Sequence, residues 1–393
     1  MKRRELLGTG GTTISIAATG CLGQLRQRCG HGASATTQPT PGDPEELPVP
    51  RSELVRAAGR DEIPAITEPA FESNWEGITL TRVWWGTGET FEVTVELLSE
   101  DRVIGVVRDG RARAYPLKIL NWHEAVNDEF DGPLLVTYCP LCGSGITAER
   151  IVDGSETTFG VSGLLYRSNQ VLYDEQTDSY WAQLLAKAIR GSMAGSTLRL
   201  VPSELTTWGA WKQRHPETEV LLPAPFSKTV GNSRPAPYRR NPYDKYAATG
   251  ETVEGADSRD GQLHPKAEVL GVRHDGEAVA YPLERVSAAG VVNDTVGGRP
   301  IVVASTPTSQ LVAYDRRIDG EPFQFSEGDA ETMLSDDTRW QIKNGRGTAG
   351  THNGAELTPL DDAIQLYWFA WREFEPNTSV YSTRWAPEWL CGN

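Results

Sequence analysis

The sequence predicts an α+β fold of two tandem homologous β-rich domains, each with a few helices packed on a mainly antiparallel sheet. Short β-branched or aromatic runs bounded by Gly, Asp and Pro recur along the chain, and they alternate irregularly with helical patterns. The chain also contains an internal repeat at an offset of 166 residues. That period is far longer than those of solenoid repeats, so the repeat indicates duplication of a whole domain.

The first copy carries the clearest element patterns. A helix is predicted over 116–126, because proline is tolerated in the first helical turn. A second helix is predicted after Pro202, with Ser203 as its N-cap, and the second copy repeats it around Trp368. Five short runs are predicted as strands: 102–107, 112–115, 134–138, 157–161 and 171–174.

The two copies share residues typical of a scaffold, but reactive residues of the first copy are replaced in the second. Residues 114–117 match 280–283, and 126–128 match 292–294. Four reactive residues are replaced in the second copy: His123 by Ala289, Glu124 by Gly290, Cys139 by Ser305 and Cys142 by Thr308. Their joint loss indicates one common site, although independent drift at four positions would leave the same sequence.

The amino terminus resembles an export signal. Arg3 and Arg4 precede two leucines, as in twin-arginine signals, and small residues lead to Cys21 as in a lipobox. We expect residues 1–21 to be this signal and Cys21 to be lipidated, which predicts a membrane-anchored protein on the extracellular face. The alternative is a soluble export signal cut elsewhere.

The rest of the chain divides by composition. Residues 22–58 contain few large apolar side chains, so a disordered tether is expected there. The site-bearing domain is predicted over 59–226, and the degenerate second domain over 263–393. Between them, 227–262 is rich in proline and polar residues and is predicted to be a surface-crossing linker.

The net charge of -15 limits the partners. An acidic chain without a basic run is a poor partner for nucleic acid. Only eight of the 38 basic residues are lysine, and an acidic, arginine-biased composition is typical of halophilic archaea. The membrane, through the lipid anchor, is therefore the one partner that the sequence predicts.

The reactive residues of the first copy predict a metal site. Cys139 and Cys142 lie in a Cys-Pro-Leu-Cys-Gly segment, and His123 stands upstream at a spacing common in zinc-type sites. Glu124 is interpreted as a fourth ligand, an acid/base residue or a group beside the ligands. Nitrogen and thiolate ligands favour zinc or copper.

The same cysteines permit two other interpretations. They could cycle between dithiol and disulfide, with His123 lowering the thiolate pKa. They could instead form a structural disulfide, although so small a loop is strained.

Weaker indications come from residues near these motifs and from two glycosylation sequons. The sequons begin at Asn293 and Asn377. Four residues are expected to line the same cleft: Tyr138, Ser144, Asp174 and Asp178.

Several blocks of the chain resemble the domain of unknown function 3179 family. The blocks are 59–66, 112–124, 138–144, 159–166 and 173–177. The resemblance covers most of 59–246, with the second copy as a degenerate relative, and it implies no activity.

From the residues, three functions are open. The first is metal handling or redox chemistry in the cell envelope by an exported lipoprotein with a His/Cys/Cys metal site. The second is thiol–disulfide exchange by the cysteine pair, and the third is a non-catalytic envelope binding module.

Overall fold

The computed structural model describes residues 46–83, 88–232, 235–252, 261–360 and 362–382. The predicted signal with Cys21, and most of the tether, lie outside the described residues. All described residues belong to one compact unit, Pro39–Asn393. In the described part of the chain, no helix is long and apolar enough to cross a membrane.

The first half and the segment after it contain nineteen described strands and three described α-helices. The helices are α1 (Leu117–His123), α2 (Trp208–Arg214) and α3 (Asp244–Ala247). The strands are β1 (Leu54–Arg56), β2 (Ile66–Glu68), β3 (Phe71–Glu72), β4 (Thr79–Val83), β5 (Thr90–Thr94), β6 (Arg102–Arg108), β7 (Arg111–Pro116), β8 (Ala125–Glu129), β9 (Pro133–Cys139), β10 (Ser144–Glu149), β11 (Ile151–Val152), β12 (Ser155–Glu156), β13 (Phe159–Tyr166), β14 (Asn169–Asp174), β15 (Tyr180–Ala182), β16 (Lys187–Arg190), β17 (Glu204–Thr207), β18 (Glu219–Leu221) and β19 (Lys228–Thr229).

The second half adds fourteen described strands and two described helices, α4 (Leu283–Ala289) and α5 (Trp368–Phe374). Its strands are β20 (Glu268–His274), β21 (Glu277–Pro282), β22 (Val291–Val296), β23 (Arg299–Ser305), β24 (Leu311–Asp315), β25 (Arg317–Ile318), β26 (Glu321–Pro322), β27 (Ser326–Glu327), β28 (Thr332–Ser335), β29 (Thr338–Gln341), β30 (Gly347–Ala349), β31 (Thr358–Pro359), β32 (Ile364–Tyr367) and β33 (Ser379–Val380). The fold is β-rich with mainly antiparallel sheets and few helices, which confirms the predicted α+β class.

The two halves repeat the same strand pairing. The order β17-β6-β7-β18 in the first half corresponds to β32-β20-β21-β33 in the second, and in each case the last pair is parallel. The order β10-β9-β8 likewise corresponds to β24-β23-β22, and β13-β14-β15-β16 to β27-β28-β29-β30.

Side-chain bonds explain why certain scaffold residues are the same in both halves. The Tyr115 hydroxyl donates to Asp128 at 2.7 Å, and Tyr281 donates to Asp294 at 2.8 Å. The amide of Asn127 bonds the backbone of the strand that begins at Phe159, accepting from its N–H at 2.7 Å and donating to its C=O at 2.9 Å. These bonds join adjacent elements, so the matching residues have a structural role in each half.

A glycine and a tryptophan meet in each half. A Cβ atom on Gly105 would lie 2.3 Å from the ring of Trp211, and one on Gly271 would lie 2.3 Å from the ring of Trp371. The backbone approach needed to bury each indole on its sheet therefore requires glycine at both positions.

The halves share one apolar cluster. Tyr166 and both thiol-bearing residues of the first half pack with Trp368 and Phe369 of the second. Beside this cluster, the guanidinium of Arg102 donates to both carboxylate oxygens of Glu268, at 3.0 and 3.3 Å. The site of the first half is thus built against the second half.

Three predicted boundaries need correction. The predicted tether ends too late, because β1 pairs with β13 and the N–H of Val49 donates to the C=O of Ile189 at 2.8 Å. The helix predicted over 116–126 ends at His123, because Glu124 adopts a left-handed conformation and the chain then enters β8. The helix after Pro202 begins only at Trp208, with Thr207 as its N-cap, because 204–207 pair with β6.

Candidate functional site

The cysteine pair lies in the tight turn between β9 and β10. Cys139 is the last residue of β9 and pairs with Ser144, the first residue of β10. The N–H of Cys142 donates to the C=O of Cys139 at 3.2 Å, and Gly143 takes a φ of 65°, which favours glycine. The two sulfur atoms are free thiols 3.1 Å apart, and both residues are buried.

Polar groups from the neighbouring sheet hold Cys142. Its thiol donates to the C=O of Ser168 at 3.1 Å, and its sulfur accepts from the amide of Asn169 at 3.6 Å. Burial raises the pKa of Cys142 well above its usual value, and the hydrogen bond and charge of Cys139 raise it further. Cys142 is therefore a neutral thiol at pH 7 in this arrangement.

Glu124 joins this site through an unusual backbone position. It caps the C-terminus of α1 at φ 59°, a left-handed conformation that is uncommon outside glycine. Its carboxylate is buried, accepts from the hydroxyl of Tyr243 at 3.1 Å and contributes to the raised pKa of Cys142. The equivalent residue, Gly290, also has positive φ, at 68°. Glycine adopts a positive φ without strain, so the second half lacks the backbone strain that Glu124 has in the first half.

His123 is buried, but its ring is engaged by other groups. Nδ1 lies 2.7 Å from the C=O of Pro64 and Nε2 lies 2.7 Å from the hydroxyl of Tyr238. Since a carbonyl can only accept, Nδ1 carries the proton and Nε2 accepts from the tyrosine. Burial lowers the pKa of His123 to about 4, so the ring is neutral at pH 7.

The structure therefore brings together part of the predicted metal site. Cys139, Cys142 and Glu124 are neighbours, whereas both nitrogens of His123 are bonded to groups outside that set. Among the described residues, no group of three or more His, Cys, Asp or Glu side chains is arranged to hold a metal ion.

Sequence reasoning missed the tyrosines around this site. The predicted surface-crossing linker supplies Tyr238 to His123 and Tyr243 to Glu124, and the hydroxyl of Tyr246 donates to the C=O of Leu141 at 3.1 Å. The sequence did not predict these contacts because the segment is rich in prolines and polar residues, and tyrosines in such a segment are ordinarily solvated.

The second half supplies another tyrosine. The N–H of Tyr367 donates to the C=O of Cys142 at 2.8 Å, and a Cβ atom on Gly143 would lie 3.1 Å from the tyrosine ring. The cysteine turn is therefore held from both halves of the chain.

A polar cavity of about 390 Å³ adjoins the cysteine turn. Pro140 of the turn lines it, together with Tyr138 and Tyr367. Its charged lining includes Arg102 and Lys118. Tyr138, which the sequence predicts to line the cleft, therefore lines this cavity.

The other weak site residues serve the fold. Ser144 donates to Gln183 at 3.2 Å in the protein interior. Asp174 accepts from the backbone N–H of Thr177 at 2.6 Å and from the indole of Trp181 at 2.9 Å, and so stabilises the turn between β14 and β15. Asp178 is an exposed partner of Arg60 at 2.7 Å.

The two sequons differ in their structural setting. The side-chain nitrogen of Asn293 donates to the C=O of Phe325 at 2.7 Å, and its oxygen accepts from the N–H of Phe325 at 2.8 Å. A glycan on that nitrogen would disrupt this pairing. Asn377 lies in an exposed turn after α5, where a glycan would meet no such obstacle.

Comparison with known proteins identifies a family. The family model described as "Protein of unknown function (DUF3179)" matches residues 60–378. The match covers the blocks that carry the resemblance and extends past residue 246 through most of the second half. No curated protein and no solved structure matches this chain.

Proposed function

Because the chain belongs to the DUF3179 family, whose description gives no activity, we propose from the site alone that Cys139 and Cys142 form a reversible thiol–disulfide redox pair. The observation that carries this proposal is the 3.1 Å separation of the two sulfur atoms, with both thiols free. A disulfide bond is about 2.05 Å long, so a small change at the turn joins them.

The reaction is an exchange with an external disulfide. One cysteine loses its proton and attacks that disulfide, which releases one thiol and leaves a mixed disulfide on the protein. The second cysteine then attacks the mixed disulfide. An S–S bond forms between Cys139 and Cys142, and the acceptor leaves as two thiols after taking two electrons and two protons.

Burial sets the conditions for this exchange. A thiolate is the attacking species, whereas the buried Cys142 thiol is held neutral by its raised pKa. Exchange therefore requires displacement of the tyrosine cover formed by Tyr243, Tyr246 and Tyr367, which admits water and the acceptor. The proposed setting is the outer face of the membrane, reached through the twin-arginine signal and lipidation of Cys21, because disulfides persist in that compartment.

The redox proposal is tested by equilibrating the folded protein with mixtures of reduced and oxidised glutathione. Alkylation of free thiols and peptide mass spectrometry then measure the oxidation of the Cys139–Cys142 peptide. We expect a single reversible transition in that peptide, and Cys142→Ser should trap a mixed disulfide on Cys139. The double variant Cys139→Ser/Cys142→Ser is the matched control for the remaining cysteines. A pair that changes state only after denaturation would identify a structural element and overturn the proposal.

Metal binding by the same cysteines is the second candidate function, favoured by the buried carboxylate of Glu124 beside Cys142. In a tetrahedral site with zinc–sulfur bonds of about 2.3 Å, two sulfurs lie about 3.8 Å apart. Zinc would therefore have to widen the present 3.1 Å separation. Metal analysis of the purified protein distinguishes the two functions, because metal binding predicts stoichiometric zinc or copper that Cys142→Ser removes.

A further inference from the structure

A second cavity lies between the two halves, away from the cysteine turn. It has a volume of about 550 Å³, which suits a small organic ligand. Trp211 lines it from the first half, while Leu270, Leu311 and Leu360 line it from the second. These side chains give it apolar walls, and none of its lining residues lines the cavity at the cysteine turn.

One end of this cavity is positively charged. Lys343 lines it and has no carboxylate within ion-pair distance in the described ranges, whereas the neighbouring Arg214 is paired with Glu204. Burial lowers the pKa of His215, the charges of Arg214 and Lys343 lower it further, and the charge of Glu204 raises it. Because Arg214 and Glu204 form an ion pair, Lys343 remains as an excess positive charge at this end of the cavity. Such an excess is notable in a chain of net charge -15.

A largely buried glutamine lines the same cavity as Lys343 and offers it a polar group. Gln310 is 8% exposed, and its side-chain amide has no hydrogen-bond partner in the part of the chain that the structure describes. Gln310 lines this cavity and two adjoining ones of about 180 and 110 Å³, and Lys343 lines the largest and the smallest of the three. Within the described ranges this amide is not among the fully buried polar groups without a partner, so it reaches the cavity space and is available to a bound molecule.

The carboxylates of this region do not cancel the charge of Lys343. Glu204 is occupied by Arg214, and Glu331 lines only the smallest cavity without approaching Lys343 to ion-pair distance. We therefore infer that the cavity between the halves binds a small organic anion, with a carboxylate or sulfonate head on Lys343 and Gln310 and an apolar body against the leucine and tryptophan walls.

Two probes with nearly the same apolar body test this inference. The first is 1-anilinonaphthalene-8-sulfonate, and the second is N-phenyl-1-naphthylamine, which lacks the sulfonate. Fluorescence titration of the full chain should give saturable binding of the sulfonate probe. Lys343→Gln should weaken that binding about tenfold, because a charge-assisted hydrogen bond is lost, and should leave the neutral probe within about twofold.

Further variants locate the site. Val107→Trp, at a half-exposed position on the cavity lining, should block both probes. Lys245→Gln removes the same charge from an exposed position on α3 and should change neither probe. Equal affinity for both probes in the unmodified protein, or sulfonate binding unaffected by Lys343→Gln, would overturn the inference.

Discussion

The Nε2 atom of His123 accepts a hydrogen bond from the hydroxyl of Tyr238 at 2.7 Å. The same hydroxyl accepts from the backbone N–H of Ala224 at 3.2 Å, and the opposite ring nitrogen of His123 donates to Pro64. The imidazole is therefore fixed as a neutral ring that links α1 to the segment between the two halves. This role differs from the metal ligand expected from the sequence.

The neutral state of His123 predicts a specific pH dependence of stability. Because its folded pKa is about 4 and its unfolded pKa is about 6.5, the unfolded chain binds more protons between these values. The contribution of His123 is fully present above about pH 6.5 and is lost as the pH falls toward 4. We expect the free energy of unfolding to fall by about 2–3 kcal/mol more in the unmodified protein than in His123→Gln between pH 7.5 and 4.5, measured by denaturant titration. Equal pH profiles for the two proteins would contradict this assignment; His215 is present in both and cancels.

Removal of one covering tyrosine should expose the thiols. Tyr246 donates to the C=O of Leu141 in the cysteine turn, and Lys266 holds the tyrosine in place, with its Nζ 3.4 Å from the ring centroid. In Tyr246→Ala we expect the two cysteines to react with an aromatic disulfide reagent at least about tenfold faster, since local opening becomes easier. Tyr381→Ala, in the second half, is the matched control and should leave the rate unchanged. A rate that does not rise would show that another element controls access to the thiols.

The left-handed conformation of Glu124 predicts different results for two substitutions. Glu124→Gly removes the carboxylate and relieves backbone strain, whereas Glu124→Ala removes the carboxylate and keeps the strain. We expect the alanine variant to be less stable than the glycine variant by about 1 kcal/mol in denaturant titration. Both should shift the glutathione equilibrium of the cysteine pair by the same amount, because both lack the nearby charge. If the two variants are equally stable, the strain argument fails.

The contact of Gly105 with Trp211 predicts that a methyl group added at Gly105 lowers the stability of the protein. Gly105→Ala should lower the free energy of unfolding by about 1–3 kcal/mol, because the new Cβ would lie 2.3 Å from the indole. Gly271→Ala should behave alike through Trp371. Gly59→Ala, where a Cβ would meet its nearest neighbour at 3.4 Å, serves as the control and should cost far less. A tolerated Gly105→Ala would mean that the indole shifts readily.

Local sequence patterns predicted several of the strands in the first half and the presence of its two longer helices. Turn residues and β-branched runs correctly predicted β6, β7, β9 and β14, because each of these strands pairs with a strand close to it in sequence. The pattern failed at 204–207, where both Ser203 and Thr207 are suitable N-caps. Pairing of β17 with β6, a hundred residues away in sequence, selects Thr207, and a local pattern cannot contain that information.

The site was predictable only in part for the same reason. Spacing alone brings Cys139 and Cys142 together in one turn. The spacing of His123 placed it near them along the chain but could not reveal that Pro64 and Tyr238 would orient its ring. The contact of Tyr367 with the cysteine turn could not be predicted from local patterns either, because its partner there lies more than two hundred residues upstream.

The contact between Tyr367 and the cysteine turn makes the second half a structural requirement of the first. Tyr367 of the second half forms a wall of the cysteine turn in the first, so deletion of the second half would uncover the cysteines. The first half therefore depends on the second for the burial of its two cysteines, and neither half is expected to keep this arrangement when produced alone.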